Sequence, residues 1–244
     1  MKAARGAILA IHGLGGGPYE LEPVIEALRQ AGYEVLAPTL PGHEGGGRVM
    51  PASRWEQWAD CVDRAYAELA ERGPISVVGF STGGTLALGL SVRRAVQRLA
   101  ILAPFLAIRY TRWLPLRSAT AVRWMLKVMP NVPRRGPPVR DPAMRAWVAR
   151  QERYATFSLA ATLSALELID RIRPEVSKIE VPTLIIQGTK DSVVEPAEAR
   201  WLHDRLGSAR KRLRWMERSD HLVALDFDRA EVVREVLGWV GDRD

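Results

Sequence analysis

The order of apolar segments along this chain constrains its fold more than any other feature. Six short runs have the length and composition of buried strands: 7–11, 34–37, 75–80, 99–103, 183–188 and 212–216. Longer stretches with apolar residues at helical spacing separate or follow them, at 18–31, 53–72, 83–95, 196–206 and 228–241. This alternation predicts an α/β fold with a mostly parallel central sheet flanked by helices. In such sheets, ligands bind beside the carboxyl ends of the strands.

The composition fits a single hydrophobic core of this type. The chain has 244 residues, 47% of them hydrophobic, and no apolar run reaches the ~20 residues of a bilayer-spanning helix. Residues 1–13 have a basic start and a short apolar stretch, but they continue into HGLGGG without the cleavage site of a signal peptide. The single cysteine, Cys61, cannot form an intrachain disulfide and is expected to be a small buried helix residue. A cytoplasmic protein is therefore expected.

One long segment interrupts the alternation. Between residues 105 and 176 no strand pattern occurs, and two helical stretches, about 111–129 and 143–172, are joined by MPNVPRRGPPVRDP with its five prolines. Because strand patterns precede and follow it, this segment is predicted to be a helical cap inserted between core strands. The predicted core comprises residues 1–104 and 177–244, and the predicted cap comprises residues 105–176.

The sequence VVGFSTGG, residues 77–84, places Ser81 in a Gly-x-Ser-x-Gly frame. The frame alone is a weak signal, but here it follows a predicted strand and precedes a predicted helix, the context in which it presents a nucleophilic serine. Gly79 and Gly83 leave room for a tight turn where side chains would collide with neighbouring backbone. The alternative is that Ser81 serves only as the N-cap of the following helix.

A serine hydroxyl needs a base to accept its proton, and the chain has four histidines. His12 opens a glycine-rich loop, which it is expected to shape, and His43 lies in a second loop. His203 lies in the middle of a predicted helix. His221 lies between the last predicted strand and the last predicted helix, beyond Ser81 in sequence, and is the favoured base.

The imidazole in turn needs a carboxylate to fix its tautomer and stabilise its charged form. Asp191 follows the predicted strand 183–188 and is the favoured candidate. Asp220 is the alternative, but it is adjacent to His221, and neighbouring residues rarely point their side chains at each other. The chain order of Ser81, Asp191 and His221 is the order that an α/β-hydrolase requires.

Ester or acyl chemistry at Ser81 also needs two N–H donors for the oxyanion. The backbone of Thr82, directly after the candidate nucleophile, supplies one, and the backbone of Leu14 in HGLGG is well placed to supply the other. The glycine-rich loop could instead be a plain turn. A phosphate-binding loop is disfavoured because no Lys-Ser/Thr pair follows it in a Walker pattern.

Four stretches of the chain resemble the bacterial carboxylesterase and monoacylglycerol lipase group of α/β-hydrolases. They are HGLGGGPYELEPVIEALRQAGYEVLAPTLPGHEG, VVGFSTGG, PTLIIQGTKDSVV and SDHLVALDFD. The resemblance implies that Ser81, Asp191 and His221 are catalytic and that Leu14 and Thr82 form the oxyanion hole. Two positions depart from the group: the position of Leu14 is often aromatic there, and Met is frequent at that of Thr82. Because both residues act through backbone N–H groups, the departures concern the shape of the acyl pocket.

The predicted cap is rich in large apolar side chains. The candidates for lining a substrate pocket are Trp113, Trp124, Met125, Trp147 and Phe157. Apolar and adaptable surface of this kind over a site favours esters of medium- or long-chain acids. The alternative is that these side chains only attach the cap to the core.

The cap region also carries most of the positive charge. Residues 105–153 contain eleven basic and two acidic side chains, a net charge of +9, whereas the whole chain carries +7. Basic residues interleaved with Trp could bring this region into transient contact with an anionic lipid surface. The alternative is a solvated basic face. Nucleic-acid binding is disfavoured because no recognised module accompanies the charge.

These observations predict a serine carboxylic-ester hydrolase that acts on medium- to long-chain acyl esters through an acyl-enzyme intermediate. The expected partner is a small-molecule acyl ester. No cluster of His, Cys, Asp and Glu has metal-ligand spacing, so no metal or other cofactor is expected. Two alternatives stay open: a thioesterase or acyltransferase that uses the same triad, and a catalytically silent ligand-binding module on this fold.

Overall fold

The apolar runs predicted as strands form one parallel sheet in the computed structural model, which describes residues 5–109 and 128–242. The strands are β1 (Ala7–Ile11), β2 (Glu34–Leu36), β3 (Ile75–Phe80), β4 (Leu99–Leu102), β7 (Thr183–Gly188) and β8 (Lys211–Met216). Their spatial order is β2-β1-β3-β4-β7-β8, and all five neighbouring pairs are parallel. The predicted α/β fold with a mostly parallel sheet is confirmed.

The burial of each strand follows from its place in the sheet. The residues of the four inner strands, β1, β3, β4 and β7, are all buried, because helices cover both faces there. The edge strand β8 alternates between exposed basic residues, such as Arg212 and Arg214, and partly buried apolar ones, such as Leu213. The alternation is the pattern of a strand with one solvated face.

Helices cover the two faces of the sheet. They are α1 (Glu22–Gln30), α2 (Trp55–Ala70), α3 (Thr82–Arg93), α4 (Pro142–Ala149), α5 (Leu159–Ile172), α6 (Ala197–Arg205) and α7 (Arg229–Gly241). The buried side chains of α1 and α7 pack with one face, and those of α2, α3, α5 and α6 pack with the other. Short 3₁₀ helices occur at Pro18–Leu21, Arg173–Lys178 and Val223–Leu225. No helix in residues 5–109 and 128–242 is long and apolar enough to cross a membrane.

The segment between β4 and β7 is an insertion between two strands that are neighbours in the sheet. It contains α4, α5 and a separate antiparallel pair, β5 (Asn131–Pro133) and β6 (Thr156–Ser158). The single helix predicted over 143–172 is wrong, because β6 separates α4 from α5 and the Ser158 hydroxyl caps α5 by accepting from the N–H of Ala161. The helix predicted over 111–129 falls almost entirely outside the described residues.

Helix α5 packs this insertion against the helices on one face of the sheet. Its buried side chains, including Ala161, Ala165 and Ile169, belong to the same apolar cluster as those of α2 and α3. The Ser164 hydroxyl on α5 also accepts a hydrogen bond from the N–H of Trp55, the first residue of α2. The last part of the insertion is therefore packed as core, whereas residues 128–158 lie toward the carboxyl ends of the strands.

Candidate active site

Three side chains meet at the carboxyl end of the sheet, as the chain order of their motifs predicts. Ser81 follows β3, Asp191 lies in the loop after β7, and His221 lies in the loop after β8. The Oγ of Ser81 is 3.0 Å from Nε2 of His221, and Nδ1 of His221 is 2.9 Å from Oδ2 of Asp191. All three residues are buried, with Asp191 completely inaccessible. The structure thus joins them in one hydrogen-bonded chain.

The turn at Ser81 is sharp and held by the backbone. Ser81 has a φ of +53°, a conformation that is costly for a residue with a side chain and that recurs at functional sites. Its N–H donates to the carbonyl of Leu102, and its carbonyl accepts from the N–H groups of Gly84, Thr85 and Phe105. A Cβ on Gly83 would overlap the carbonyl oxygen of Ile11 in β1. These contacts explain why the frame needs glycine there.

Asp191 is held as a carboxylate by four donors. Its Oδ1 accepts from the N–H groups of Val193 and Val194, and its Oδ2 accepts from Gln187 Nε2 and His221 Nδ1. Burial by itself would raise the pKa of Asp191. The charge and hydrogen bond of His221, with the two backbone N–H groups, outweigh burial and hold the pKa below its ordinary value.

The neighbouring carboxylate, Asp220, has different partners. Its Oδ1 accepts from the backbone N–H and the hydroxyl of Ser192 and from the backbone N–H of His221. It supports the loop without contacting the imidazole ring. Of the two carboxylates considered from the sequence, the imidazole is therefore hydrogen-bonded to Asp191.

The surroundings of His221 favour its protonated form. Burial by itself would lower the pKa of the imidazole, but the charge and hydrogen bond of Asp191, with contributions from Glu20 and Asp220, raise it above the ordinary value. The ring of Phe80 lies beside it, with the two ring centroids 5.0 Å apart. The imidazole is therefore held in one orientation and can carry a proton at low cost.

His12 has the role in the loop that its position predicts. Its Nε2 accepts from the N–H of Leu40, and its Nδ1 lies 2.8 Å from the carbonyl oxygen of Gly13, so the proton resides on Nδ1. Burial and the nearby His43 lower the pKa of His12 to about 3. His12 is therefore a neutral residue that fixes the glycine-rich loop.

The two predicted oxyanion donors, Leu14 and Thr82, line the same cavity as Ser81 and His221. Thr82 is the first residue of α3, where a backbone N–H has no partner within the helix. Within the described part of the chain, no hydrogen bond uses the N–H of Leu14 or of Thr82. Both donors are free to bind an oxygen atom in the cavity.

Sequence reasoning missed Glu20, a buried acid beneath the glycine-rich loop. Its Oε2 accepts from the N–H of Gly13 at 2.8 Å, and its carboxyl group fills the space that a side chain at Gly16 would need. Burial raises the pKa of Glu20 to about 7, although the Gly13 hydrogen bond and the charges of Arg134 and His221 act in the opposite direction. In the sequence Glu20 is one acid among several near a helix start, so only the tertiary contact reveals it.

A second missed residue is Asp226, which is completely buried after the 3₁₀ helix Val223–Leu225. One oxygen accepts from the N–H groups of Arg140 and Asp220, and the other accepts from those of Asp141 and Phe227. Asp226 therefore joins the backbone of the insertion to the loop that carries His221.

A cavity of about 570 Å³ opens above Ser81 and His221. Its apolar lining includes Leu14, Tyr19, Phe80, Phe105, Ile108, Val132, Phe157, Leu159 and Leu222. Among the pocket candidates from the sequence, Phe157 is in the lining. Trp147 is not, because it packs behind Tyr19, with ring centroids 6.3 Å apart. Trp113, Trp124 and Met125 fall outside the described residues. Within residues 5–109 and 128–242, no group of His, Cys, Asp and Glu could hold a metal ion.

Sequence and structure comparisons find similar proteins over nearly the whole chain. The family described as serine aminopeptidase, S33 (Hydrolase_4) matches residues 2–228. A thermostable monoacylglycerol lipase of Bacillus sp. (strain H-257) is 25% identical over 94% of this chain and 88% of its own length. A carboxylesterase of Bacillus subtilis (strain 168) is 23% identical over 98% of this chain and 93% of its own. The crystal structure of a Paleococcus ferrophilus monoacylglycerol lipase superposes with a TM-score of 0.81 at 22% identity, covering 97% of this chain and 94% of that one.

Proposed function

This chain belongs to the Hydrolase_4 family of α/β-hydrolases, and on that premise we propose that it is a carboxylic-ester hydrolase of the carboxylesterase or monoacylglycerol lipase type. The observation that carries the proposal is the hydrogen-bonded chain from Ser81 through His221 to Asp191 at the base of an apolar cavity. Ser81 is the nucleophile, His221 the general base and Asp191 the residue that fixes the imidazole.

The proposed reaction has two halves. In the first, Oγ of Ser81 attacks the ester carbonyl while Nε2 of His221, 3.0 Å away, accepts its proton. The N–H groups of Leu14 and Thr82 bind the oxyanion, and His221 then protonates the departing alcohol. In the second half, water activated by His221 attacks the acyl-enzyme, releases the acid and restores Ser81.

The charge distribution supports this assignment of roles. Asp191 is held ionised by four donors, so it can stabilise the imidazolium that forms when His221 takes the serine proton. The free N–H groups of Leu14 and Thr82 lie in the cavity before the reaction begins, so the oxyanion would meet donors already in place.

The apolar part of the cavity supports medium- to long-chain acyl esters as substrates. Phe157 and Leu159 of the insertion face the same cavity as Phe80 and Phe105 of the core. We therefore propose that residues 105–176 form a cap, which covers the site with the part before α5 and packs through α5 against a catalytic core of residues 1–104 and 177–244.

Contact of the basic cap with anionic lipid stays a prediction, as does a cytoplasmic location. Four of the eleven basic side chains in the segment 105–153 lie outside the described residues: Arg112, Arg117, Arg123 and Lys127.

The family description, serine aminopeptidase, also suggests a second class of substrate, peptides with a free amino terminus. An α-ammonium group would need an unoccupied carboxylate, yet Asp220 is bonded to Ser192, and Glu20, with a pKa of about 7, is bonded to the N–H of Gly13. Arg134 and Arg153 also line the cavity and would repel a cation. The charge in the site therefore favours esters over such peptides.

Hydrolysis of p-nitrophenyl esters from acetate to laurate, with Ser81→Ala as the control, tests the proposal. We expect turnover that disappears in the variant and rises toward medium or long chains. Matched acyl thioesters separate an esterase from a thioesterase, and aminoacyl p-nitroanilides test the peptidase alternative. A folded wild-type protein that turns over none of these substrates would favour the silent binding module.

A further inference from the structure

The cavity has a basic side that ester hydrolysis of a neutral lipid does not use. Four arginines line it: Arg109, Arg134, Arg135 and Arg153. The acidic side chains of the lining, among the described residues, are Glu20 and Asp220, and both already accept hydrogen bonds from their own loops. The cavity therefore presents an excess of positive charge close to Ser81.

Arg134 is one of the two half-buried arginines in this set. Its guanidinium stacks on Phe157, with Cζ 4.5 Å from the ring centroid, and its Nη1 is buried without a hydrogen-bond partner among the described residues. No carboxylate in the described chain lies within 4.0 Å of it to form an ion pair. A buried N–H group of a guanidinium is costly to leave without an acceptor unless a ligand supplies one.

Arg134 is also close to the reacting atoms. A Cβ built on Gly15 would lie 3.2 Å from Nη2 of Arg134, and one built on Gly13 would lie 3.1 Å from Cβ of Ser81. Gly13 and Gly15 flank Leu14, the proposed oxyanion donor, and two residues of chain span at most about 7 Å. Arg134 and Ser81 therefore pack against the same three-residue stretch of the glycine-rich loop, and both line the same cavity.

From these contacts we infer that Arg134 is a specificity residue for esters that carry an anionic group, a carboxylate or a phosphate, a short chain away from the scissile bond. The inference rests on the proposed ester hydrolysis and names its substrate class. The planar guanidinium suits bidentate binding of either anion, and the ring of Phe157 packs against it.

Paired substrates test the inference and identify the source of the anion. For an anion on the acyl side, mono-p-nitrophenyl adipate is compared with p-nitrophenyl hexanoate, which has the same six-carbon chain without the charge. Adipate is chosen because the carboxylates of shorter diacids cyclise onto their own esters. For an anion on the alcohol side, 1-hexanoylglycerol 3-phosphate is compared with 1-hexanoylglycerol.

We expect kcat/KM to favour the anionic member of at least one pair. The ratio of kcat/KM for the anionic ester to kcat/KM for the neutral ester should fall about tenfold in Arg134→Met and fall less in Arg134→Lys. In the wild-type protein the same ratio should decrease as salt is added. The matched control is Arg150→Met, because Arg150 is an exposed arginine of the same segment that does not line the cavity. This control should leave the ratio unchanged.

The outcomes separate the two proposals. Hydrolysis of the neutral esters without any anionic preference, or with a preference that Arg134→Met leaves intact, overturns the role of Arg134 and leaves the esterase proposal standing. Absence of hydrolysis with all four substrates refutes the esterase proposal itself. If Arg134→Met does not fold, the Arg134→Lys ratio and the salt dependence of the wild-type ratio decide the question.

Discussion

Replacing Asp191 by Asn should reverse the tautomer of His221 while nearly preserving the shape of the site. Oδ1 of Asp191 accepts two backbone N–H groups, from Val193 and Val194, so the carbonyl oxygen of Asn must occupy that position. The NH₂ group then faces Nδ1 of His221, which has to become an acceptor. The imidazole proton moves to Nε2, and Nε2 can no longer accept the proton of Ser81.

The size of the effect follows from the loss of the base. In a serine hydrolase with the wrong tautomer, kcat falls by about 10⁴, which corresponds to ~5 kcal/mol of transition-state free energy. The free energy of unfolding should fall by about 1–3 kcal/mol, because the new NH₂ group faces the Nε2 donor of Gln187, and turning that amide to accept loses its hydrogen bond to the carbonyl of Gly188.

The assay combines ester turnover with ¹⁵N NMR of the histidine ring. We expect Asp191→Asn to be folded, about 10⁴-fold slower and protonated at Nε2 of His221. Asp220→Asn is the matched control, since Asp220 bonds the backbone and not the ring; it should lose less than about tenfold. A folded Asp191→Asn variant with near-wild-type turnover, or with its proton still on Nδ1, would refute the reasoning.

Three further predictions concern pH and stability. Burial lowers the pKa of His221, but Asp191 raises it by more, so the net pKa lies above 6.5. Because the base must be neutral to accept the serine proton, kcat/KM should decline as the pH falls through that pKa. A pH–rate profile that declines only well below 6.5 would contradict this. Gly83→Ala should give no folded protein by circular dichroism, whereas Gly238→Ala, with open space around it in α7, should be as stable or slightly more stable. Asp226→Ala should lower the free energy of unfolding by about 3 kcal/mol in urea titrations, because four backbone N–H groups, one of them fully buried, lose their acceptor. A change under about 1 kcal/mol would show that water replaces the carboxylate.

The strands and the central site residues could be predicted because their signals are local. Each inner strand is apolar on both faces, and each of Ser81, Asp191 and His221 comes after the carboxyl end of a strand. In a parallel sheet these ends lie at one edge, so the order of motifs along the chain is enough to bring the three side chains together.

The supporting residues could not be predicted, because their partners are distant in sequence or specific to the fold. Asp226 accepts the N–H of Arg140, 86 residues earlier, and nothing near it in sequence distinguishes it from other loop acids. Glu20 acquires its raised pKa from burial beneath a loop. Trp147 and Phe157 look alike as apolar residues of the insertion, yet only Phe157 reaches the cavity.

The hydrogen bonds of Asp226 have a consequence for how this enzyme type can be altered. Arg140 and Asp141, in the insertion, and Asp220, next to His221, share the same two carboxylate oxygens. A chimaera that exchanged residues 105–176 for the corresponding segment of a relative would inherit the substrate cavity of the donor. It would also have to match the backbone of residues 140–141 to Asp226, since a misfit there would displace the loop that carries His221. One buried side chain, Asp226, therefore connects the segment that lines the cavity to the loop that positions His221.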